Sequence, residues 1–198
     1  MKAMNTIGKI GGALLLATAL LGVGGCTAIL SGTNDKPIES DPGRRSFGAA
    51  LDDQSIETTV TVNIRKTDAA LEHANVVVVS YNGIVLLAGQ VPDESLRGTA
   101  AQAAANVKGV RAVHNYLIAA ENTGFAVRSS DTLLTTKVKS KLLGTDNVKD
   151  SRVKVLTENG TVFLMGLVTR EEGKLAASAV QSVSGVQQVV TLFEYVDG

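Results

Sequence analysis

The side chains that could do chemistry are few and scattered: one cysteine, two histidines and three adjacent carboxylate pairs. The lone thiol, Cys26, can form neither an internal disulfide nor a zinc cage by itself. His73 and His114 fall in different predicted elements and lack the H-x-x-x-H spacing that would put two imidazoles on one helical face. The pairs Asp52-Asp53, Asp93-Glu94 and Glu171-Glu172 sit at or near expected helix starts, where the helix dipole favours acids for structural reasons. There is no Gly-x-Ser-x-Gly elbow and no phosphate-cradling glycine loop ahead of a helix. These residues form no catalytic set and call for no cofactor or metal. The expectation is a protein that is not an enzyme.

Elsewhere the composition is that of a globular protein: 44% hydrophobic and 19% charged over 198 residues, with aromatics at 4%. The core must therefore be aliphatic. Nineteen basic residues balance nineteen acidic ones, which argues against a nucleic-acid partner, since such binders concentrate Lys and Arg.

The position of Cys26 gives it meaning. Lys2 and Lys9 precede an apolar run from Ile10 to Val23, and Gly24-Gly25 follow, the pattern of an export signal over residues 1–25. The run is shorter than the ~20 residues a spanning helix needs. Val23-Gly24-Gly25-Cys26 resembles a lipobox, which implies a multiply acylated Cys26 at the mature N-terminus. With Thr27 rather than Asp next in line, the resemblance implies the outer membrane. Residues 26–50, with Pro37, Pro42 and mixed charges, read as a lipidated flexible tether.

The rest of the chain is one unit written twice. Tyr81-Asn82-Gly83 through Val91 lines up with Glu158-Asn159-Gly160 through Val168 at an offset of 77. Val76 and Val78 match Val153 and Val155. Asp53, Ile56, Val60 and Ile64 match Asp131, Leu134, Val138 and Leu142 with one residue of slip, and Lys108-Gly109-Val110 matches Ser184-Gly185-Val186. Domains are expected at 51–121 and 128–198.

In each copy, Asp53 or Asp131 is expected to cap a helix whose apolar residues recur every four positions. A β-rich run, an Asn-Gly hairpin turn and an alternating return strand follow. One face of that strand is expected buried and the other exposed, with Gly89 and Gly166 marking close approach of helix to sheet. A second, Ala-rich helix over about 93–107 or 170–183 ends at Gly109 or Gly185, and a last strand closes the unit. The fold class is α+β, in two tandem αββαβ units. Each is a three-stranded mixed sheet with two helices on one face, its strand order open.

This order, with V-x-V followed by N-G-x-V-x-L-x-G-x-V in both copies (Phe163 and Met165 among the variable positions of the second), resembles the BON domain. Two such domains behind a lipobox resemble the family's outer-membrane lipoproteins. The resemblance implies a protein anchored in the outer membrane and facing the periplasm. It further implies binding of anionic phospholipid through the second domain, a role in envelope integrity, and no catalysis.

The differences between copies suggest which residues would serve a partner. The first copy has Ser55, Thr59, Thr61 and Asn63 where the second has Leu133, Lys137, Lys139 and Lys141. At ~100° per residue Leu133 falls off the core stripe, beside Lys137 and Ser140. A leucine amid lysines suits a helix lying on an anionic membrane, apolar group in the acyl boundary and lysines at the phosphates. The candidate phospholipid-binding residues are thus Leu133, Lys137, Lys139, Ser140 and Lys141. The first copy holds five basic and eight acidic residues, the second nine and eight. Two other readings stand beside this one. The lysines simply solvate a helix face while Leu133 packs on the first domain, or the protein is an adaptor for envelope protein partners and its lipid only localises it.

Overall fold

The computed structural model describes residues 45–197. The expected signal segment, Cys26 and the tether as far as residue 44 lie outside the described residues.

Helix α1 (Phe47–Thr67) opens on Ser46, whose hydroxyl accepts from the Ala49 N–H, and buries Ile56, Val60 and Ile64 at four-residue spacing. Residues 47–50, read as tether, are its first turn. Asp68 caps the short α2 (Ala69–Glu72), which seals the core with Leu71. Strands β1 (Asn75–Tyr81) and β2 (Ile84–Val91) then form a hairpin. Its turn residues Asn82 (φ 52°) and Gly83 (φ 75°) both take the positive φ of a type I′ turn. Asp93 caps α3 (Glu94–Ala105), which carries the chain back so that β3 (Ala112–Ala119) runs parallel to β2.

The second copy repeats this. It has α4 (Phe125–Leu143), β4 (Val153–Glu158), β5 (Thr161–Val168), α5 (Arg170–Gln181) and β6 (Gln188–Tyr195). A single 3₁₀ turn, Asp150–Arg152, stands before β4 where the first copy has α2 before β1. Thr169 and Glu172 open α5 as a capping box in sequence, the hydroxyl accepting from Glu172 N–H. The Glu172 carboxylate turns elsewhere, to the Lys149 N–H and, inside the protein, to Arg152 at 3.2 Å.

In both sheets the return strand is central: β1-β2-β3 and β4-β5-β6, antiparallel then parallel. The two longer helices of each copy cover one face, and apart from the added one-turn α2 the αββαβ order is as expected. Two expectations about the sheets fail. Gly89 and Gly166 do not admit a helix. A Cβ on Gly89 (φ 113°) would stand 1.9 Å from the Asn75 carbonyl oxygen, and one on Gly166 would stand 2.3 Å from that of Arg152. The crowding comes from the neighbouring strand's backbone.

The outer faces of β2 and β5 are not exposed either. Leu86 and Ala88 on one, Phe163 and Met165 on the other, are buried together with Val79 and Tyr81. The two sheets pack face to face, and the layers run helices, sheet, sheet, helices. An aliphatic unit of some seventy residues buries too little by itself to be firmly stable; each copy completes its core with the other.

This packing follows an approximate twofold axis. Asn75 and Gln90 of the first copy both donate to Glu158 of the second, at 3.0 and 2.9 Å. Their repeat equivalents, Arg152 and Leu167, face Tyr81, the equivalent of Glu158: the phenol bonds the Leu167 backbone and feels the Arg152 charge. The duplicated chain therefore packs as an isologous dimer does. Lys154 reaching Glu57 at 2.5 Å and Arg111 reaching Glu194 at 2.8 Å close the polar rim.

Candidate functional site

Asp131 orients the helix that carries the candidate residues. It does not cap α4, which begins six residues earlier behind Gly124. Instead its buried carboxylate crosses to the hairpin turn and accepts from the Asn159 and Gly160 N–H groups at 2.8 and 2.9 Å. Asp53 does the same in the first copy, accepting from Asn82 N–H and Gly83 N–H at 2.8 Å, and from the Ser80 hydroxyl and Arg45 as well. Burial raises the Asp53 pKa, but these donors outweigh it and hold the carboxyl below its ordinary value. The expected helix caps are thus corrected to clamps, each fixing the rotation of a long helix against its sheet.

With the helix so held, Asp131, Leu134, Val138 and Leu142 face inward. All five candidates fall on the other side. Leu133 is 66% exposed, and Lys137, Lys139, Ser140 and Lys141 are exposed. Leu133 does not pack on the first domain, because the copies meet through their sheets and not through α4.

Two exposed apolar groups that the spacing argument missed share this helix: Phe125, 81% exposed, and Leu143, 71% exposed. Eighteen positions apart, they lie about five turns apart on one outward line. Between them, Thr132 and Thr136 turn their hydroxyls onto the Arg128 and Thr132 carbonyls, so neither proton needs water. Phe125 was legible in principle, since Phe47 precedes Asp53 by the same six residues as Phe125 precedes Asp131.

Exposed apolar groups alone do not separate the two long helices. Helix α1 also shows Phe47, Leu51 and Val62 to solvent. What separates them is charge: Lys137, Lys139 and Lys141 against Thr59, Thr61 and Asn63. No helix among the described residues is long and apolar enough to cross a membrane. His73 is exposed beyond α2, and His114 is half-buried on β3.

The BON domain family matches the chain twice, over residues 52–121 and 130–197. The outer membrane lipoprotein DolP of Haemophilus influenzae is 38% identical over 185 residues, 92% of this chain and 95% of that one. A 21 kDa hemolysin of Actinobacillus pleuropneumoniae is 39% identical over 83% of each chain, and the osmotically-inducible protein Y of Escherichia coli is 29% identical over 75% of each. On two matched domains and these likenesses along most of its length, the chain belongs to the BON-domain family, as a dual-BON protein similar to DolP.

Proposed function

We propose that this protein is a lipid-anchored component of the outer membrane, facing the periplasm, that binds anionic phospholipid through α4 of its second BON domain and helps maintain the envelope. It acts as a binding protein, without catalysis. The observation that carries the reading is the outer face of α4, where Leu133 stands exposed among Lys137, Lys139 and Lys141, with Phe125 and Leu143 at the ends. Each lysine near an anionic surface contributes about 1 kcal/mol, enough for three to decide a weak association. Exposed Leu and Phe side chains add apolar burial at the acyl boundary. An acyl group on Cys26 would hold the domain near the bilayer, so the helix need only orient it. The relative named as an outer-membrane lipoprotein supports the same location.

The test is co-sedimentation of residues 45–198 with vesicles of graded anionic content at low and moderate salt. Binding that rises with anionic lipid, falls with salt and disappears in Lys137→Glu but not Thr59→Glu is the expected result. Absence of binding at every composition would sink it and leave docking to an envelope protein as the function of the folded part.

A further inference from the structure

Ser55, the first-copy equivalent of Leu133, lines a recess. Between the start of α1, the Asn82-Gly83 turn and the loop from Lys108 to Arg111 lies a hollow of about 410 Å³. Ile56 and Ala49 supply apolar lining, and beside the clamp Asp53 and Asn82 the polar lining is Asp52 and Ser55 from the helix and Lys108 and Arg111 from the loop. Arg111 is anchored, its guanidinium bonded to the Asn82 carbonyl at 2.9 Å and paired with Glu194, and its side chain is still 55% exposed. Asp52 and Lys108 are exposed, and among the described residues neither is in an ion pair, with each other or with a third group. Among the described residues, one wall thus carries an unpaired carboxylate and the other an unpaired ammonium beside a guanidinium held by Glu194.

The second copy serves as an internal control. Its clamp aspartate, apolar core residue (Leu134 for Ile56), Asn-Gly turn and following glycine all correspond to the first copy, because the fold requires them. The four polar wall positions do not match: Ser130, Leu133, Ser184 and Gln187 stand where the first copy has Asp52, Ser55, Lys108 and Arg111. Gln187 also lies over the turn, its side chain 2.7 Å from where a Gly160 Cβ would be. Arg111 also pairs with Glu194 across the two copies, so it is at Asp52, Ser55 and Lys108 that this pairing leaves the difference unexplained.

We propose that the first-domain recess binds a small zwitterion bearing a phosphate and a primary ammonium, the phosphoethanolamine group. Arg111 and Lys108 take the phosphate through charge-assisted hydrogen bonds, with Arg111 already oriented by Asn82 and Glu194. Asp52 takes the ammonium, with the Ser55 hydroxyl a further polar group of the lining. Asp53 also lines the recess, but its carboxylate is taken up by Arg45 and the turn amides, and Glu194 already balances Arg111. A purely anionic ligand meets Asp52 and a purely cationic one meets Lys108, so a ligand with both charges leaves neither wall opposed. This site is independent of the α4 surface: the two copies use one location for two chemistries.

The full chain carrying Cys26→Ser is titrated with glycerophosphoethanolamine while backbone amide shifts are followed by NMR. Saturable shifts at Asp52, Gly83 and Lys108 to Arg111 are expected. Asp52→Ser and Lys108→Ser, each importing the second copy's residue, should weaken binding about tenfold or more with dispersed spectra retained. Glycerophosphocholine, whose quaternary ammonium cannot donate a hydrogen bond, and glycerophosphate, which has no cation, should bind at least about tenfold more weakly. Nanodiscs of phosphatidylethanolamine distinguish the source: broadening of the same amides assigns a lipid-borne head group, and shifts with the free compound alone assign a soluble one. Equal affinity for all three compounds, indifference to Asp52→Ser, or no saturable shift would each overturn the proposal.

Discussion

Asp53 and Gly83 are joined across thirty residues by a buried hydrogen bond of 2.8 Å, and Asp131 and Gly160 repeat it at 2.9 Å. In each copy a helical carboxylate holds the N–H groups of a type I′ turn whose own geometry leaves them pointing at the helix. The clamp ties the hairpin to the long helix and sets which helical face looks outward.

Removing the clamp should cost more in the first copy than in the second. Asp53 accepts from four groups and Asp131 from two turn amides. Stranding buried donors costs about 1–3 kcal/mol each before relaxation, so Asp53→Ala should lower stability by roughly 3 kcal/mol and Asp131→Ala by less. Urea unfolding of the two variants checks the order. Equal losses would mean that Ser80 and Arg45 contribute nothing.

Acid should loosen the first clamp. The Asp53 pKa is lowered in the folded state from the ordinary 3.8, so its contribution is present above that value and is lost as pH falls through the folded pKa. Stability measured from pH 5 down to pH 2 should fall more steeply in the wild type than in Asp53→Ala. Parallel curves would exclude Asp53 as a source of the acid sensitivity.

The face-to-face sheets should make the two domains unfold together. Met165 is 1% exposed and lies between the sheets. Met165→Ala should cost about 2–5 kcal/mol, the range for emptying a packed site. Hydrogen exchange should then rise in β1 and β2 as well as in β4 and β5. A loss confined to the second domain would show that the sheets contribute little to each other.

Phe125 offers a test of the membrane reading at a position sequence spacing did not single out. Phe125→Glu should weaken anionic-vesicle binding as Leu133→Glu does. Phe47→Glu, at the equivalent site of α1, should leave it unchanged, since that helix lacks the three lysines. Co-sedimentation reads both. Equal loss from Phe47→Glu would assign the surface to both helices.

Much of this architecture is legible in the linear order of residues, because it depends on local periodicity. Four-residue spacing in Ile56, Val60 and Ile64, the Asn-Gly pairs, and the apolar run from Val85 to Ala88 each identify an element without its partner. Duplication then identifies a domain, since a match at two registers seventy-seven residues apart carries more information than either copy. The candidate face on α4 was readable for the same reason. Subtracting one copy from the other left Leu133 and three lysines, all of which the structure leaves in solvent.

What tertiary structure alone decided is where long-range partners stand. Asp53 and Asp131 look like helix caps because an acid before an apolar period has that local meaning; their true partners lie some thirty residues on. The alternating set Val85, Leu87 and Val91 reads as the one inner face, yet Leu86, Ala88, Phe163 and Met165 on the other side are apolar too; what covers them is the second sheet. Periodicity records which residues share a face. It does not record what covers that face, because the cover comes from the other copy, through contacts between residues that are neighbours only after both sheets have formed.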